Sequence, residues 1–336
     1  MTNRRAIDGP VLVTGAGGLI GSAICRELSA QGIAVRAFLA PDEPPTNIED
    51  LAGISALRGD VRDAAAMYAA ASGCTAIIHC AAINSLWHKR AEELYSVNVE
   101  GTEIACRSAM AAGVSRFIFT SSCEVNGPAM PDWPADEMRP LEPSRVRGHY
   151  ERSKLLAEQA VRRHIMNWLP AVILRPTAVI GPGDIHGTPP GLLIRTFLDR
   201  RIPVYYDAGI NVIDSRDVAA AHVAALTRGQ TGETYILGAH NVRLSELFAQ
   251  IEIASGVRAP KIKLGYRTAL AITAARCAKS AFLRTHPGVT VSGLRTVRYP
   301  WFFNSEKAQR ELGLAARALG DTVRCAVEWH LNNPNF

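Results

Sequence analysis

Residues 11–28 read VLVTGAGGLIGSAICREL, and glycines recur at every third position, at Gly15, Gly18 and Gly21. An apolar, β-branched run precedes them and a segment of helical spacing follows, which predicts a strand, a tight turn and a helix. Gly15 allows the tight turn, Gly18 lets the backbone approach a pyrophosphate, and Gly21 lets the helix pack closely on the sheet. The first N–H groups of such a helix, at the positive end of its dipole, suit phosphate. The stretch therefore predicts a dinucleotide-binding turn, with the binding residues Gly15, Gly18, Leu19, Ile20 and Gly21.

The first half of the chain alternates apolar runs with segments of helical spacing. The strand candidates are residues 33–39, 55–57, 75–80, 116–120 and 171–174, and the helix candidates are 22–31, 91–112 and 150–168. Such alternation builds parallel βαβ units with helices on both faces of one sheet. The predicted fold class is α/β, a Rossmann-type doubly wound parallel sheet with a smaller C-terminal α/β substrate lobe. We expect the dinucleotide-binding domain at 1–175 and mainly the substrate lobe at 176–336, interleaved with late strands of the main sheet.

Composition and charge exclude several classes of function. The 336 residues are 48% hydrophobic and 20% charged, with a net charge of +6, as in an ordinary soluble globular protein. No basic tract is interleaved with aromatic residues, so we expect no nucleic-acid partner. The apolar helix candidate at 269–283 carries Arg276 and Lys279. It is too short and too charged to span a bilayer, and it fits a lid on the substrate lobe better than a membrane contact.

The seven cysteines do not form a recognisable framework. They stand at 25, 74, 80, 106, 123, 277 and 325, and none belongs to a CxxC pair. An odd number of cysteines, mostly in apolar runs, is typical of a reduced, cytoplasmic chain. No cluster of His, Cys and Asp has the spacing of a metal site, so we expect no metal.

Residues 148–154 read GHYERSK and place Tyr150 and Lys154 four residues apart at the start of a predicted helix. Four residues are just over one helical turn, so the two side chains share one face. A tyrosine has an unperturbed pKa of about 10, too high for an efficient base at neutral pH. A nearby ammonium group favours the phenolate and lowers that pKa. The pair indicates proton transfer if the fold places other reactive groups beside it.

Several motifs together resemble the extended short-chain dehydrogenase/reductase family, the NAD-dependent epimerase/dehydratase proteins. They are TGAGGLIG at 14–21, TSSCEVNG at 120–127, the Tyr-x-x-x-Lys pair, RPTAVIGPGD at 175–184 and NVIDSRDVAAAHVAAL at 211–226. Within the family, the chain is most similar to the dihydroflavonol-reductase-like proteins and the hopanoid-associated sugar epimerases. The resemblance implies a nicotinamide cofactor and a catalytic set in which Ser122 orients a carbonyl, Tyr150 is the general acid or base, and Lys154 tunes Tyr150 and holds the ribose.

The resemblance also implies the remainder of the cofactor site, namely Asp60, Val61, Ala81, Asn98 and Pro176, together with Tyr150 and Lys154. Asp60 would bond the adenine, and Ala81 would line the nicotinamide ribose. Asp63 is better suited to cap a helix. Asn98 is a poor helix former in the middle of a predicted helix, and this local cost by itself predicts a tertiary hydrogen bond.

The choice between NAD and NADP depends on the end of the second strand, in VRAFLAPDEPP at 35–45. NAD specificity usually needs an acid there, and NADP specificity an arginine. Leu39 and Ala40 occupy those positions, so neither determinant is present. Asp42 and Glu43 come late and fit a loop cap. The missing acid and the reductase-like relatives favour NADP over NAD.

Substrate contacts are expected from Trp87, Glu124, Asn126, Thr177 and His186. Nucleotide-sugar dehydratases of the family carry Thr-Asp-Glu where this chain has Ser122-Cys123-Glu124. Cys123 removes the acid that would protonate a leaving hydroxyl, so dehydration is disfavoured. Asn126 stands where the family often has tyrosine, which alters one wall of the substrate entrance.

The resulting prediction is an NAD(P)-dependent oxidoreductase that transfers a hydride between nicotinamide and a ketone or secondary alcohol. One alternative is a sugar epimerase, which oxidises and reduces the same carbon without net redox change. The other is a nucleotide-sensing binding protein with idle catalytic groups, against which the intact Ser122, Tyr150 and Lys154 argue. The resemblance also implies a homodimer formed through the long helices.

Overall fold

The computed structural model describes residues 7–84, 91–129, 133–139, 146, 148–283 and 291–334. Its strands are β1 (Val11–Thr14), β2 (Val35–Leu39), β3 (Ile54–Arg58), β4 (Ala76–His79), β5 (Arg116–Thr120), β6 (Ala171–Pro176), β7 (Ala178–Ile180), β8 (Val204–Tyr206), β9 (Gly209–Asp214), β10 (Thr234–Leu237), β11 (His240–Arg243) and β12 (Ile262–Leu264). The main sheet has seven strands in the order β10-β6-β5-β4-β1-β2-β3, and every pairing within it is parallel. This confirms the predicted doubly wound α/β fold.

The helices are α1 (Leu19–Ala30), α2 (Ala64–Ala71), α3 (Ala91–Tyr95), α4 (Gly101–Ala112), α5 (His149–Met166), α6 (Pro189–Leu198), α7 (Ser215–Arg228), α8 (Leu244–Ser255), α9 (Tyr266–Leu283), α10 (Val291–Thr296), α11 (Glu306–Leu312) and α12 (Leu319–Asn332). A π-helical turn at Ser96–Glu100 joins α3 to α4, and a 3₁₀ turn spans Cys123–Val125. Helix α4 ends where Gly113 adopts the left-handed conformation, with φ of 66°, as a glycine stop predicts.

Both faces of the main sheet are covered by helices. On one face α1 and α7 bury Ile24, Leu28 and Val218 against strand residues such as Val13. On the other face α2, α4 and α5 bury Met67, Ala105 and Val161 against residues such as Phe117. Burial on both faces explains why the strands read as continuous apolar runs and not as alternating patterns.

The chain crosses between the sheet and the second lobe more than once. After β7, β8 and β9 it returns to the main sheet, where α7 packs beside α1 and β10 pairs with β6 at the edge. The second lobe has its own core, in which Phe197, Phe248, Ile251 and Val323 are buried. Two small sheets complete the lobe, one in the order β11-β9-β7 and one that pairs β12 with β8. Residues 215–237 therefore belong to the dinucleotide-binding layer.

Three global expectations can be compared with the structure. None of the described helices is long and apolar enough to cross a bilayer. The cysteines at 25, 74, 80, 106, 123 and 325 are free thiols. Within the described part of the chain, no group of three His, Cys, Asp or Glu side chains is arranged to hold a metal ion.

Candidate active site

The glycine-rich turn lies where the strand order of the main sheet reverses, between β1 and β4. In open α/β sheets, ligands bind in the crevice at this switch point. Gly15 has a φ of 66°, and a Cβ there would lie 2.8 Å from the Ala81 Cα. A Cβ at Gly21 would lie 2.0 Å from the Gly15 carbonyl oxygen. The turn therefore requires glycine at both positions.

Helix α1 begins directly after this turn, with Gly18 as the N-cap and Leu19 as the first helical residue. No side chain caps the helix, and its first turn carries no acidic residue. Its first N–H groups therefore meet no carboxylate from their own turn, as suits a phosphate-binding helix end. The close glycine cradle and this helix end together fit a dinucleotide.

The opposite wall of the crevice is the chain that follows β4. The Ala81 N–H donates to the Thr14 hydroxyl at 3.2 Å, which fixes the wall to the end of β1. The Thr14 hydroxyl also bonds the His79 ring at 2.8 Å, and Thr102 bonds the other ring nitrogen at 3.1 Å. Burial, together with the Lys154 charge, lowers the pKa of His79 to about 3, so the ring is neutral. His79 thus locks the strand ends and does not exchange protons near neutral pH.

Asn98 lies in the π-helical turn and ties two parts of the site together. Its Oδ1 accepts from the Ile83 N–H at 2.7 Å, and its Nδ2 donates to the Ile83 carbonyl at 3.1 Å. Nδ2 also donates to the Ser153 hydroxyl at 2.9 Å, and that hydroxyl donates to the Tyr150 carbonyl at 2.7 Å. The predicted tertiary hydrogen bond of Asn98 is present. It joins the loop after β4 to the helix that carries Tyr150, and the π turn is a feature often found at functional sites.

Asp60 and Val61 lie at the far end of the crevice, after β3. Asp60 accepts from the Arg62 N–H at 2.8 Å and from its guanidinium Nε at 2.9 Å, and this arginine holds the pKa of Asp60 below its usual value. Val61 packs against Gly101, where a Cβ would lie 2.8 Å from the Val61 Cγ2. The Asp63 carboxylate accepts from two N–H groups of α2, so Asp63 is the helix cap. Pro176 ends β6, buried at the same edge of the sheet.

Ser122 and Tyr150 meet beneath the crevice. Ser122 follows β5 and caps the 3₁₀ turn, with its Oγ accepting from the Glu124 N–H at 3.2 Å. Tyr150 lies in the first turn of α5 and is 9% exposed. Burial raises the pKa of Tyr150 far above its usual value, the Glu124 carboxylate raises it further, and a hydrogen bond with Ser122 opposes the shift. Tyr150 is therefore a protonated phenol at neutral pH, with the Ser122 hydroxyl close enough to influence its pKa.

Lys154 lies on the same buried face of α5, with 4% of its surface exposed. Its Nζ donates to the Thr120 carbonyl at 2.7 Å and lies 5.1 Å from the centre of the Phe119 ring. Burial lowers the pKa of Lys154 to about 8, although the charges of nearby acidic groups act to raise it. In this structure, burial and Glu124 set the pKa of Tyr150, and the expected lowering by the Lys154 ammonium is not among the main effects.

Glu124 supplies a second ionisable group beside Tyr150 and Lys154. Its Oε2 is buried and has no hydrogen-bond partner among the residues that the structure describes. Burial, with the nearby Glu151 charge, raises the pKa of Glu124 to about 8, and Lys154 opposes this shift. The carboxyl group is therefore largely protonated at neutral pH and can donate a hydrogen bond. Glu124 is the predicted substrate residue that this geometry leaves available.

Two other predicted substrate residues have their polar atoms engaged by the protein. The Asn126 Oδ1 accepts from Arg175 at 2.9 Å, and its Nδ2 donates to the Asp136 carbonyl at 2.9 Å. The Thr177 hydroxyl donates to the Asn211 Oδ1 at 2.7 Å. Both side chains are buried and stabilise the walls of the site.

The remaining two predicted substrate residues differ in position. Trp87 lies outside the described residues. His186 is brought to the cofactor side, where its Nε2 lies 2.9 Å from the Glu43 Oε1 and its Cδ2 lies 4.0 Å from where a Cβ of Gly18 would be. The structure thus joins His186 to the glycine turn and not to the Ser122 and Tyr150 pair.

A buried ion-pair network supports the catalytic set and was not predicted from the sequence. Arg175 in β6 bonds both carboxylate oxygens of Glu158 in α5, at 2.5 and 3.0 Å. The Ser121 hydroxyl donates to Glu158 at 2.7 Å. Arg175 and Glu158 are 2% and 0% exposed. A charged residue inside an apolar strand was the available signal, since buried arginine requires a partner.

His222 forms a second unpredicted support, behind Lys154. Its Nδ1 lies 2.8 Å from the Val218 carbonyl and its Nε2 lies 2.9 Å from the Thr120 hydroxyl. Burial lowers the pKa of His222 to about 4, so the neutral ring donates through Nδ1 and accepts through Nε2. The bond from His222 fixes Thr120, and the Thr120 carbonyl oxygen accepts a hydrogen bond from the Lys154 ammonium group.

Comparisons with known proteins agree with this geometry. A family model described as the NAD dependent epimerase/dehydratase family matches residues 11–238. A Synechocystis sp. protein, provisionally named a dihydroflavonol 4-reductase, is 34% identical over 325 residues, covering 96% of this chain and 94% of its own length. The 2-alkyl-3-oxoalkanoate reductase of Stenotrophomonas maltophilia is 28% identical over 317 residues, covering 90% of this chain and 93% of its own length. The crystal structure of gox2253 has a TM-score of 0.87 at 35% identity and covers 97% of this chain and 99% of that chain.

The fold and the comparisons define the class as an NAD-dependent enzyme of the extended short-chain dehydrogenase/reductase type. The chain belongs to the NAD dependent epimerase/dehydratase family.

Proposed function

We propose that this protein is a nicotinamide-dependent oxidoreductase that interconverts a ketone and a secondary alcohol, with Tyr150 as the general acid or base. The observation that carries the proposal is the buried Ser122 and Tyr150 hydroxyl pair beside the dinucleotide crevice. A nicotinamide nucleotide in the crevice would supply or accept the hydride. Gly15, Gly18 and the first N–H groups of α1 would hold its phosphates, and Ala81 would line its ribose.

The protonation states support reduction at neutral pH. Burial raises the pKa of Tyr150, so the phenol carries the proton that a reduced carbonyl oxygen needs. Ser122 lies beside Tyr150 and can donate to the same oxygen, so a carbonyl would lie between two hydroxyl groups. In the oxidation direction the same phenol must lose its proton, and cationic charge beside it favours that loss.

Lys154 and Asn98 are proposed to position the reacting groups. Lys154 projects from the same helix face as Tyr150 and supplies a cation for ribose hydroxyls once it leaves the Thr120 carbonyl. Asn98 holds the loop at Ile83 to the helix at Ser153, so the cofactor wall and Tyr150 keep a fixed separation. Such fixed geometry is what makes proton transfer in the active site efficient.

Glu124 is proposed to face the substrate as a neutral carboxylic acid. Its unpartnered Oε2 and its raised pKa of about 8 suit a donor to a substrate oxygen more than a base. Cys123 beside it is buried, and burial raises the pKa of its thiol well above the usual value, so it supplies no acid for dehydration. These groups support reduction over loss of water. The two relatives reported above are named as reductases, which agrees with this choice.

The experiment is turnover of a ketone panel, from short to long-chain and cyclic ketones, with NADH and NADPH. The proposal predicts stoichiometric oxidation of the added nucleotide with formation of the alcohol. In parallel, the purified protein is denatured and any released nucleotide is identified by mass spectrometry. Stoichiometric retained NAD with no net oxidation would support a sugar epimerase instead. Nucleotide binding without any turnover, and with partner binding unaffected by Tyr150→Phe, would support a sensor.

A further inference from the structure

Glu43 lies close to the end of β2, although in the sequence it stands four residues after the last residue of that strand. Its backbone N–H donates to the Ala40 carbonyl at 3.1 Å, which closes a tight turn. Its side-chain Oε2 then accepts from the Ala40 N–H, also at 3.1 Å. These two bonds fold the carboxylate back onto the strand end, where only 9% of the side chain is exposed. Sequence position alone assigned Glu43 to a loop cap.

The folded-back carboxylate lies against the glycine-rich turn. A Cβ at Gly17 would be 2.6 Å from the Glu43 Oε1, so the contact depends on glycine at that position. Asn47 fixes the same loop, since its Nδ2 donates to the Gly17 carbonyl at 2.8 Å and to the Gly183 carbonyl at 2.9 Å. An acid at the junction of the second strand and the glycine turn is the group that bonds an adenosine ribose in a dinucleotide site.

The charges around this junction suit a hydroxyl more than a phosphate. Arg58 is engaged with the backbone of this loop, since its Nη1 donates to the Pro41 and Glu43 carbonyls at 3.0 and 2.6 Å. His186 pairs with the Glu43 Oε1 at 2.9 Å. A carboxylate has about four lone-pair sites, so these contacts leave room to accept from hydroxyl groups. A phosphate monoester there would carry about −1.5 to −2 charges beside the carboxylate.

We propose that Glu43 accepts hydrogen bonds from the adenosine ribose hydroxyls and selects NAD(H) against NADP(H). The inference rests on the proposed function, because it concerns the nucleotide of that same site. It replaces the preference for NADP that the missing acid at Leu39 and Ala40 suggested: the acid comes from a later residue that the tight turn brings back. His186 orients Glu43 from the loop of the second lobe.

The test is equilibrium binding of NADH and NADPH, by nucleotide fluorescence or calorimetry, to the wild type, Glu43→Gln and Asp42→Asn. Glu43→Gln keeps the shape of the side chain and removes its charge. Asp42→Asn is the matched control, since Asp42 is the adjacent, exposed acid. We expect the wild type and Asp42→Asn to bind NADH at least about tenfold more tightly than NADPH, as one charge-assisted hydrogen bond implies. Glu43→Gln should lose most of that ratio, chiefly by gaining affinity for NADPH.

The outcomes separate the two proposals. Wild-type protein that binds NADPH as tightly as NADH overturns the role of Glu43 and leaves the oxidoreductase standing. Equal weakening of both nucleotides by Glu43→Gln would assign Glu43 to loop structure and also overturn it. Binding of neither nucleotide by folded wild-type protein contradicts the proposed function itself. Because the readout is a ratio of binding constants, no substrate is needed.

Discussion

Replacing Asn98 with alanine should weaken both the stability and the nucleotide affinity of the protein. The change removes three hydrogen bonds, from the Ile83 N–H and to the Ile83 carbonyl and the Ser153 hydroxyl. At about 1 kcal/mol for each bond, the expected loss is about 3 kcal/mol of unfolding free energy. For a chain of this length, that corresponds to a fall in Tm of about 4 °C. The loop at Ile83 also loses its tie to the Tyr150 helix, so nucleotide affinity and kcat should fall together.

The assay combines thermal unfolding with nucleotide titration. Asn167→Ala is the control, because Asn167 is an exposed asparagine that caps the C-terminal end of α5, the helix that carries Tyr150 in its first turn. The Tm and nucleotide affinity of Asn98→Asp should fall between those of Asn98→Ala and Asn167→Ala, because aspartate keeps an acceptor for the Ile83 N–H and loses the amide donor. If Asn98→Ala unfolds at the same temperature as Asn167→Ala and binds nucleotide equally well, the π turn does not organise the site and our account of Asn98 is wrong.

Three further predictions concern burial and charge. Burial raises the pKa of Glu124 from 4.5 to about 8, so the folded state loses stability as pH rises from 4.5 to 8. Glu124→Gln should therefore be more stable than the wild type at pH 8 but not at pH 4. Denaturant unfolding of both proteins at the two pH values checks this. Arg175→Met leaves the fully buried Glu158 carboxylate without its main partner and should cost about 3–5 kcal/mol in the same assay, and a loss below 1 kcal/mol would contradict the network. Gly21→Ala places a Cβ 2.0 Å from the Gly15 carbonyl oxygen, so it should lower the free energy of unfolding by about 1–3 kcal/mol and weaken nucleotide binding. Unchanged nucleotide binding would mean that this turn does not bind the phosphates.

Much of the sheet could be predicted because its signals are local. The observed bounds of β5 match the predicted strand at 116–120, since an apolar run bounded by polar residues suffices to define it. Helix α1 begins three residues earlier than predicted, because Gly18 and Gly21 read as turn residues although the helix needs them for close packing. The predicted helix at 91–112 is interrupted by a π turn, and Asn98 in this turn makes the tertiary bonds to Ile83.

The features that escaped prediction depend on contacts between distant residues. The placement of β10 beside β6 follows from the return of the chain through the second lobe. The pairing of Arg175 with Glu158 and the return of Glu43 to Gly17 are set by the folded backbone. Likewise, the residue spacing of Tyr150 and Lys154 predicts a shared face but not the burial that raises the pKa of the phenol.

The central claim is that Tyr150 delivers the proton that accompanies hydride transfer. The most direct measurement is kcat for Tyr150→Phe on a ketone that the wild type reduces, with nucleotide affinity measured on the same sample. The exposed Tyr68 provides a matched control in Tyr68→Phe. We predict that Tyr150→Phe lowers kcat by about 10²–10⁴-fold with nearly unchanged nucleotide affinity, while Tyr68→Phe behaves as wild type. A Tyr150→Phe protein that turns over at the wild-type rate would contradict the account.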